Sequence, residues 1–348
     1  MSSRRRFLPQ CRLSLCVAGL LASACTTPET ADTPTEKPSA TPSATPSATP
    51  SETPSATPSA APSATPSTPP QVTPTAIPGT ECNDGTFECG DVDVNFWDGQ
   101  HYRYYHVHVP PSYSSSEPAP LVFLYHGFFD AWQWMRDTTG MPDLSDSHGF
   151  IVVYPEGLDD TWNAGTCCGY ASAIQVDDVA FTATMIEQLE EVYNIDSERI
   201  YAAGQTNGGD FALRLGCELT DQLAAVGSID GTLAIDDCVP ERPMPLWFLH
   251  GDTNDETYEA YQHTIAETLD VFMTSDVCTA DPAHTDFFGG QIPCDDYRDC
   301  SQGSSIRNCS ADTADLNIWV QDFVDGVTES SVAVSEDLIL FFESHHLP

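Results

Sequence analysis

Residues 204–208 read Gly-Gln-Thr-Asn-Gly, directly after the apolar run Ile200–Ala203 and before a stretch with helical character. The pattern is that of a sharp strand-to-helix turn, G-x-S-x-G, with Thr206 in the place of the serine. Such a turn needs its glycines, because side chains there would collide with the neighbouring strand and helix. A hydroxyl raised on it attacks an acyl carbon when a base takes its proton. Thr206 is a handicapped nucleophile on two counts. The turn usually requires positive φ, which is costly for a β-branched residue, and the extra methyl crowds the approach of a carbonyl carbon.

Further segments occur in a fixed order around this turn. They are His126-Gly127, Val152-Val153-Tyr154-Pro155-Glu156-Gly157, Trp162-Asn163-Ala164-Gly165-Thr166-Cys167-Cys168-Gly169, Asp177-Asp178-Val179 and His250-Gly251. With them the chain resembles the secreted polyhydroxybutyrate-depolymerase and feruloyl-esterase family of α/β hydrolases over roughly Leu121 to Tyr258. The Trp-Asn-Ala-Gly-x-Cys-Cys-Gly block is the most specific part. The resemblance implies an α/β-hydrolase fold, ester hydrolysis by a Ser-Asp-His triad in that chain order, and an oxyanion hole near the His-Gly segment.

Carried over position by position, that machinery is degenerate. The nucleophile position holds Thr206. The acid position, in the family pattern His-Gly-x-x-Asp counted from His250, holds Asn254, with Asp255 one residue later and Asp252 earlier. A neutral amide orients an imidazole but stabilises its cation poorly, at a cost that reaches about 10⁴-fold in rate. The base position falls in the loop Gln321–Val327, and no histidine lies between Leu316 and Glu343. His284, His345 and His346 would have to fold back to the turn to replace it. The oxyanion donors implied by the resemblance are the N–H groups around Gly127, Phe128 and Asn207. Phe128 and Phe129 replace small family residues there, and with Trp132 and Trp134 they either pack into the core or line a narrowed cleft. Loss of the base from such a triad leaves roughly 10³- to 10⁴-fold acceleration over water. The expectation is therefore a pseudoenzyme that binds an ester, polyester or carbohydrate ester through the former cleft. Two alternatives stand beside it: a weak ester hydrolase using Thr206 and Asp255, and a structural envelope protein.

The elements that would hold these residues are legible as short apolar runs at Leu121–Tyr125, Phe150–Tyr154, Ile200–Ala203, Ala224–Ile229 and Pro245–Leu249. Uninterrupted runs of this kind suit a sheet covered on both faces. Tyr102–Val109 alternates and reads as an antiparallel strand. Asp177–Tyr193 has helical spacing, a last strand is expected at Leu316–Val320, and a last helix over Ser335–Glu343. Strands alternating with helices predict one α/β domain over residues 80–348, with a mainly parallel sheet, helices on both faces and many disulfides.

Ahead of that domain, residues 1–24 read as an export signal, with Arg4–Arg6 followed by the apolar stretch Leu13–Leu21. Leu21-Ala22-Ser23-Ala24-Cys25 resembles a bacterial lipobox, which makes Cys25 the expected lipidation site and a lipid anchor the expected link to a membrane. Residues 25–79 carry a Thr-Pro-Ser-Ala repeat that buries nothing and suits an extended stalk. The chain has 12 Lys and Arg against 52 Asp and Glu; without the signal, 8 against 52 gives −44. That field repels phosphate backbones, so nucleic acid is excluded as a partner. Ten cysteines follow Cys25: Cys82, Cys89, Cys167, Cys168, Cys217, Cys238, Cys278, Cys294, Cys300 and Cys309. An even number in an exported chain predicts disulfides. Cys82 with Cys89 and Cys217 with Cys238 are the preferred pairs, Cys167 and Cys168 are expected to take different partners, and the last four remain open. No CxxC pair or histidine ligand spacing is present, so neither metal nor cofactor is expected, and the acidic clusters Asp252–Glu259 and Asp295–Asp299 read as solvated charge. A monomer at the outer membrane or cell surface, or released outside, completes the expectation.

Overall fold

Each apolar run becomes a strand whose successive side chains serve two different cores. Along Ala119–Tyr125, residues Leu121, Phe123 and Tyr125 face one core while Val122 and Leu124 face the other. This is the two-residue alternation of a pleated strand covered on both sides. The structure is a computed structural model that describes residues 75–76, 80–82, 88–251, 263–278, 281–311 and 329–348. The signal, Cys25, nearly all of the stalk, Asn254, Asp255, the strand expected at Leu316–Val320 and the 321–327 loop lie outside the described residues.

In chain order the strands are β1 (Thr75–Ala76), β2 (Thr80–Glu81), β3 (Glu88–Trp97), β4 (Tyr102–Val109), β5 (Ala119–Tyr125), β6 (Ile151–Pro155), β7 (Ile195–Gln205), β8 (Ala225–Ile229), β9 (Leu246–Gly251), β10 (Ala283–Phe287), β11 (Ile292–Tyr297) and β12 (Ile306–Ala311). The helices are α1 (Trp132–Thr138), α2 (Met141–His148), α3 (Gly169–Ala173), α4 (Asp178–Val192), α5 (Asn207–Glu218), α6 (Ile265–Asp276) and α7 (Glu329–Glu343). The sheet order is β1-β3-β4-β6-β5-β7-β8-β9-β12-β11-β10, with β2 also paired to β3. From β6 to β12 the strands run parallel, and antiparallel strands extend both edges. Phe181 and Met185 of α4, Phe211 of α5 and Phe272 of α6 fill the core on one face; Met135 of α1, Leu144 of α2 and Leu338 of α7 fill the other. This is an α/β-hydrolase fold: a mainly parallel sheet with helices on both faces.

The Cys278–Cys309 stretch, whose cysteine pairing the sequence leaves open, forms the antiparallel extension β10–β12, tied by Cys278–Cys300 and Cys294–Cys309. One expectation is corrected, that Cys167 and Cys168 take different partners. Cys167 and Cys168 join each other, because the other eight cysteines pair among themselves, including the preferred Cys82–Cys89 and Cys217–Cys238. A cluster of Cys167, Cys168 and Asp210 is thereby without thiolates to offer a metal.

Candidate active site

β7 ends at Gln205 and α5 begins at Asn207, which leaves Thr206 alone at the turn with φ 46° and ψ −119°. Non-glycine residues rarely hold that backbone, and it stores about 1–3 kcal/mol of strain. Two hydrogen bonds impose it: Thr206 N–H donates to Ile229 O at 2.8 Å, and Thr206 O accepts from Asp210 N at 2.8 Å. The flanking glycines are obligatory for space. A Cβ on Gly204 would run into the Gly208 carbonyl, and one on Gly208 into the carbonyls of Tyr125 and His126.

The segment after β5 faces the turn. His126 is fully buried, with Nδ1 2.8 Å from Gly127 O and Nε2 2.9 Å from Gly157 N. A carbonyl can only accept and an amide only donate, so the proton sits on Nδ1. Burial pushes this imidazole down to about 4, so it is neutral and serves to hold the loop. The loop presents Phe128 N–H to the turn, where it donates to Thr206 Oγ1 at 3.2 Å. The expected oxyanion donor is thus engaged with the hydroxyl itself. A Cβ built on Gly127 would lie 2.7 Å from both Thr206 Oγ1 and Asp130 Oδ2, so this glycine separates the hydroxyl from a carboxylate. Asn207 is spent on structure: its Oδ1 accepts from Trp162 N at 2.7 Å and its Nδ2 donates to Trp162 O at 3.1 Å. Trp162 stacks on Phe211 and donates through Nε1 to His126 O, so the specific sequence block is the clamp beneath the turn. Asp178 lies deeper, pairing with buried Arg103 at 2.6 Å and accepting from Asn163 N at 2.8 Å.

The four aromatics divide. Trp132 stacks on His106 at 4.1 Å and, with Trp134, packs against the core. Phe128 and Phe129 are exposed, 4.1 Å apart between ring centroids, at the mouth of the turn.

The described residues include all ten histidines of the chain, and among them no imidazole hydrogen-bonds Thr206. His250, at the end of β9, is 3.0 Å from Asn308 Oδ1 through Nε2. His284 pairs with Asp295 on the β10–β11 hairpin, 2.6 Å away. His345 is 2.8 Å from Ser305 Oγ, at the end of the strands opposite the turn, since β7 and β12 run the same way. His346 is exposed on the terminal tail. None of the fold-back candidates reaches the site.

Three carboxylates just past the carboxyl ends of parallel strands are raised instead: Asp130 after β5, Glu156 after β6 and Asp230 after β8. Asp130 is raised by burial and by the nearby Asp160 charge. Glu156 is pushed up to about 7, by burial first and then by Asp160, against the Trp132 N–H bond of 2.8 Å. Asp230 directly follows β8; burial raises it to about 6, and its Oδ1 is buried without a hydrogen-bond partner. The signal for Asp230 was its place just past the apolar run Ala224–Ile229, at the carboxyl end of a parallel strand where such folds put their chemistry.

Residues 103–237 match the family described as esterase PHB depolymerase. Over that stretch the chain is similar to this esterase family. Feruloyl esterase B of Piromyces equi is 33% identical over 156 residues, 42% of this chain and 28% of that protein. A bifunctional acetylxylan esterase/xylanase of Neocallimastix patriciarum is 29% identical over 157 residues, 45% of this chain and 22% of that protein. Feruloyl esterase D of Neurospora crassa is 24% identical over 246 residues, 66% of this chain and 80% of that protein. The match thus spans about a quarter of the length of the first two. The family match contains the turn, the Gly127–Phe128 loop and the Trp162 clamp, and it stops short of the acid and base positions.

Proposed function

We propose that this esterase-family chain is an exported lipoprotein, anchored through Cys25, that holds an ester-bearing ligand in the former cleft without turning it over at a triad's rate. The observation that carries this reading is the state of Thr206: its Oγ1 receives the Phe128 N–H, and no imidazole among the ten is bonded to it. A neutral threonine hydroxyl with no base attacks esters negligibly faster than water does. The ligand class follows from the family and from the exposed Phe128 and Phe129 at the cleft mouth: a polyester, aryl ester or acylated sugar. A second reading, slow hydrolysis at Thr206, is favoured by Asp130, whose Oδ2 shares with Thr206 Oγ1 the 2.7 Å approach to the Gly127 Cβ position.

The test is p-nitrophenyl acetate and butyrate hydrolysis by purified full-length protein and its variants. Wild type and Thr206→Ala should be equal, Thr206→Ser should gain little, and Thr206→Ser with Asp325→His should gain about 10²-fold or more. A wild-type rate that falls on Thr206→Ala sinks the proposal. If Asp130→Asn abolishes that same rate, the second reading replaces it.

A further inference from the structure

The histidine missing from the elbow has a serine of its own elsewhere. His345 Nε2 lies 2.8 Å from Ser305 Oγ, and its Nδ1 lies 2.9 Å from Phe341 O. Ser344 Oγ is 3.0 Å from the same Nδ1 and donates to Phe341 O at 2.6 Å. Because the Phe341 carbonyl can only accept, Nδ1 carries the ring proton, and Nε2 presents a lone pair to the Ser305 hydroxyl. His345 is 7% exposed, so its ring is held by packing, while Ser305 is half-buried and reachable. Both residues line a 450 Å³ cavity between the start of β12 and the end of α7. Its walls join the apolar Leu340 and Phe341 to the mutually paired Asp296 and Arg298.

We infer that Ser305 and His345 form a second nucleophilic pair, at the end of the parallel strands opposite Thr206, that accepts the acyl group of a small uncharged ester. A serine, an imidazole in the accepting tautomer and a carbonyl fixing that tautomer are the arrangement that activates a hydroxyl. Burial lowers the His345 pKa, with the Phe341 carbonyl opposing and His346 adding to the fall, so the ring is neutral and able to act as base near neutral pH. In the step, Ser305 Oγ bonds to the acyl carbon while its proton passes to His345 Nε2. The ester C–O bond then breaks, the leaving alkoxide takes that proton, and acyl-Ser305 remains until water hydrolyses it. The apolar wall suits a short acyl chain, and the charged residues beside it are already paired, so an ionic substrate gains nothing.

The inference stands independently of the reading at the elbow and is tested by site-resolved labelling. Full-length protein is treated with an alkyl fluorophosphonate, which phosphonylates an activated serine with loss of fluoride, and the adduct is mapped by peptide mass spectrometry. The adduct is expected on Ser305, in the folded wild type and equally in Thr206→Ala. It should vanish in Ser305→Ala and in heat-unfolded wild type, and form about tenfold more slowly or less in His345→Gln. Absence of a Ser305 adduct in folded wild type overturns the inference, whatever the variants do. So does an unchanged rate in His345→Gln of native circular dichroism, which would leave the pair a mere helix-end contact. An adduct on Thr206 would instead bear on the elbow alone.

Discussion

At the scale of single residues, the site is held by hydrogen bonds that leave the reacting groups little freedom. Asn207 makes two bonds to the Trp162 backbone, and both are buried. Removing its amide strands the Trp162 N–H and C=O without partners, and a stranded buried group costs about 1–3 kcal/mol. Asn207→Ala is therefore expected to lower stability by at least that range's lower end, read as a fall in the urea midpoint. An unchanged midpoint would show that water replaces the amide there. Sequence alone could identify Thr206, because the glycines around it announce the turn. It could not show that the Phe128 N–H points at the Thr206 hydroxyl, since that bond depends on where two loops, 78 positions apart, come to rest. Nor could it show that His126 is a neutral strut rather than a chemical group; that follows from its two backbone partners and its burial.

At the scale of elements, β4 and α4 are joined by a buried charge pair whose members are nearly inaccessible, Arg103 at 2% and Asp178 at 1% exposed. Arg103 also lies over the Phe181 ring at 3.7 Å. Asp178→Ala would leave the guanidinium buried with its nearer carboxylate gone, a change that typically costs about 3–5 kcal/mol. The loss should appear as a lowered unfolding midpoint, and replacing both residues by methionine and leucine should recover much of it; no recovery would mean that the pair contributes more than it replaces. The parallel strands β5 to β9 were legible because their buried stretches, such as Ile200–Ala203 within β7, are short apolar runs. β3 and β10 to β12 were not. They lie toward the two sides of the sheet, leave many positions partly or fully exposed, and carry residues such as Asp91, Asp93, Asp286 and Asp295 that resemble loop sequence. The helix α4 was legible from its spacing over Asp177–Tyr193, and the structure adds that the Asp177 side chain caps it by accepting from Ala180 N. Asp130 and Asp230 escaped because no family pattern marks them and only the topology brings them to the turn.

At the scale of the whole molecule, stability is governed by an excess of carboxylates, a formal charge of −40, some of them buried. Glu156 is raised to about 7 from an ordinary 4.5, and Asp230 and Asp276 to about 6 from 3.8, in each case by burial first. In this range the folded chain holds protons that the unfolded chain has released, so stability falls as pH rises from about 4 to about 7. Asp91 acts the other way. Hydrogen bonds from His106, His108 and Arg136 hold it well below the ordinary carboxylate range, so its contribution is full above the unfolded value of 3.8 and is lost as pH falls. The two trends cross, and the stability maximum is expected between about pH 4 and 5 rather than near neutrality. Self-repulsion among so many ionised acids adds to the fall on the alkaline side. Urea midpoints measured from about pH 3 to 8 check this. Glu156→Gln and Asp230→Asn together should flatten the alkaline limb, because the amides bury without ionising. A midpoint that climbs from pH 5 to 7 in the wild type would refute the assignment of these acids as the controlling groups. Asp230 follows Ile229, whose carbonyl accepts from Thr206 N–H, so the elbow gains negative charge over the interval in which the fold loosens. Binding of an uncharged ester, read as ligand-induced stabilisation, should therefore be strongest on the acid side of that interval.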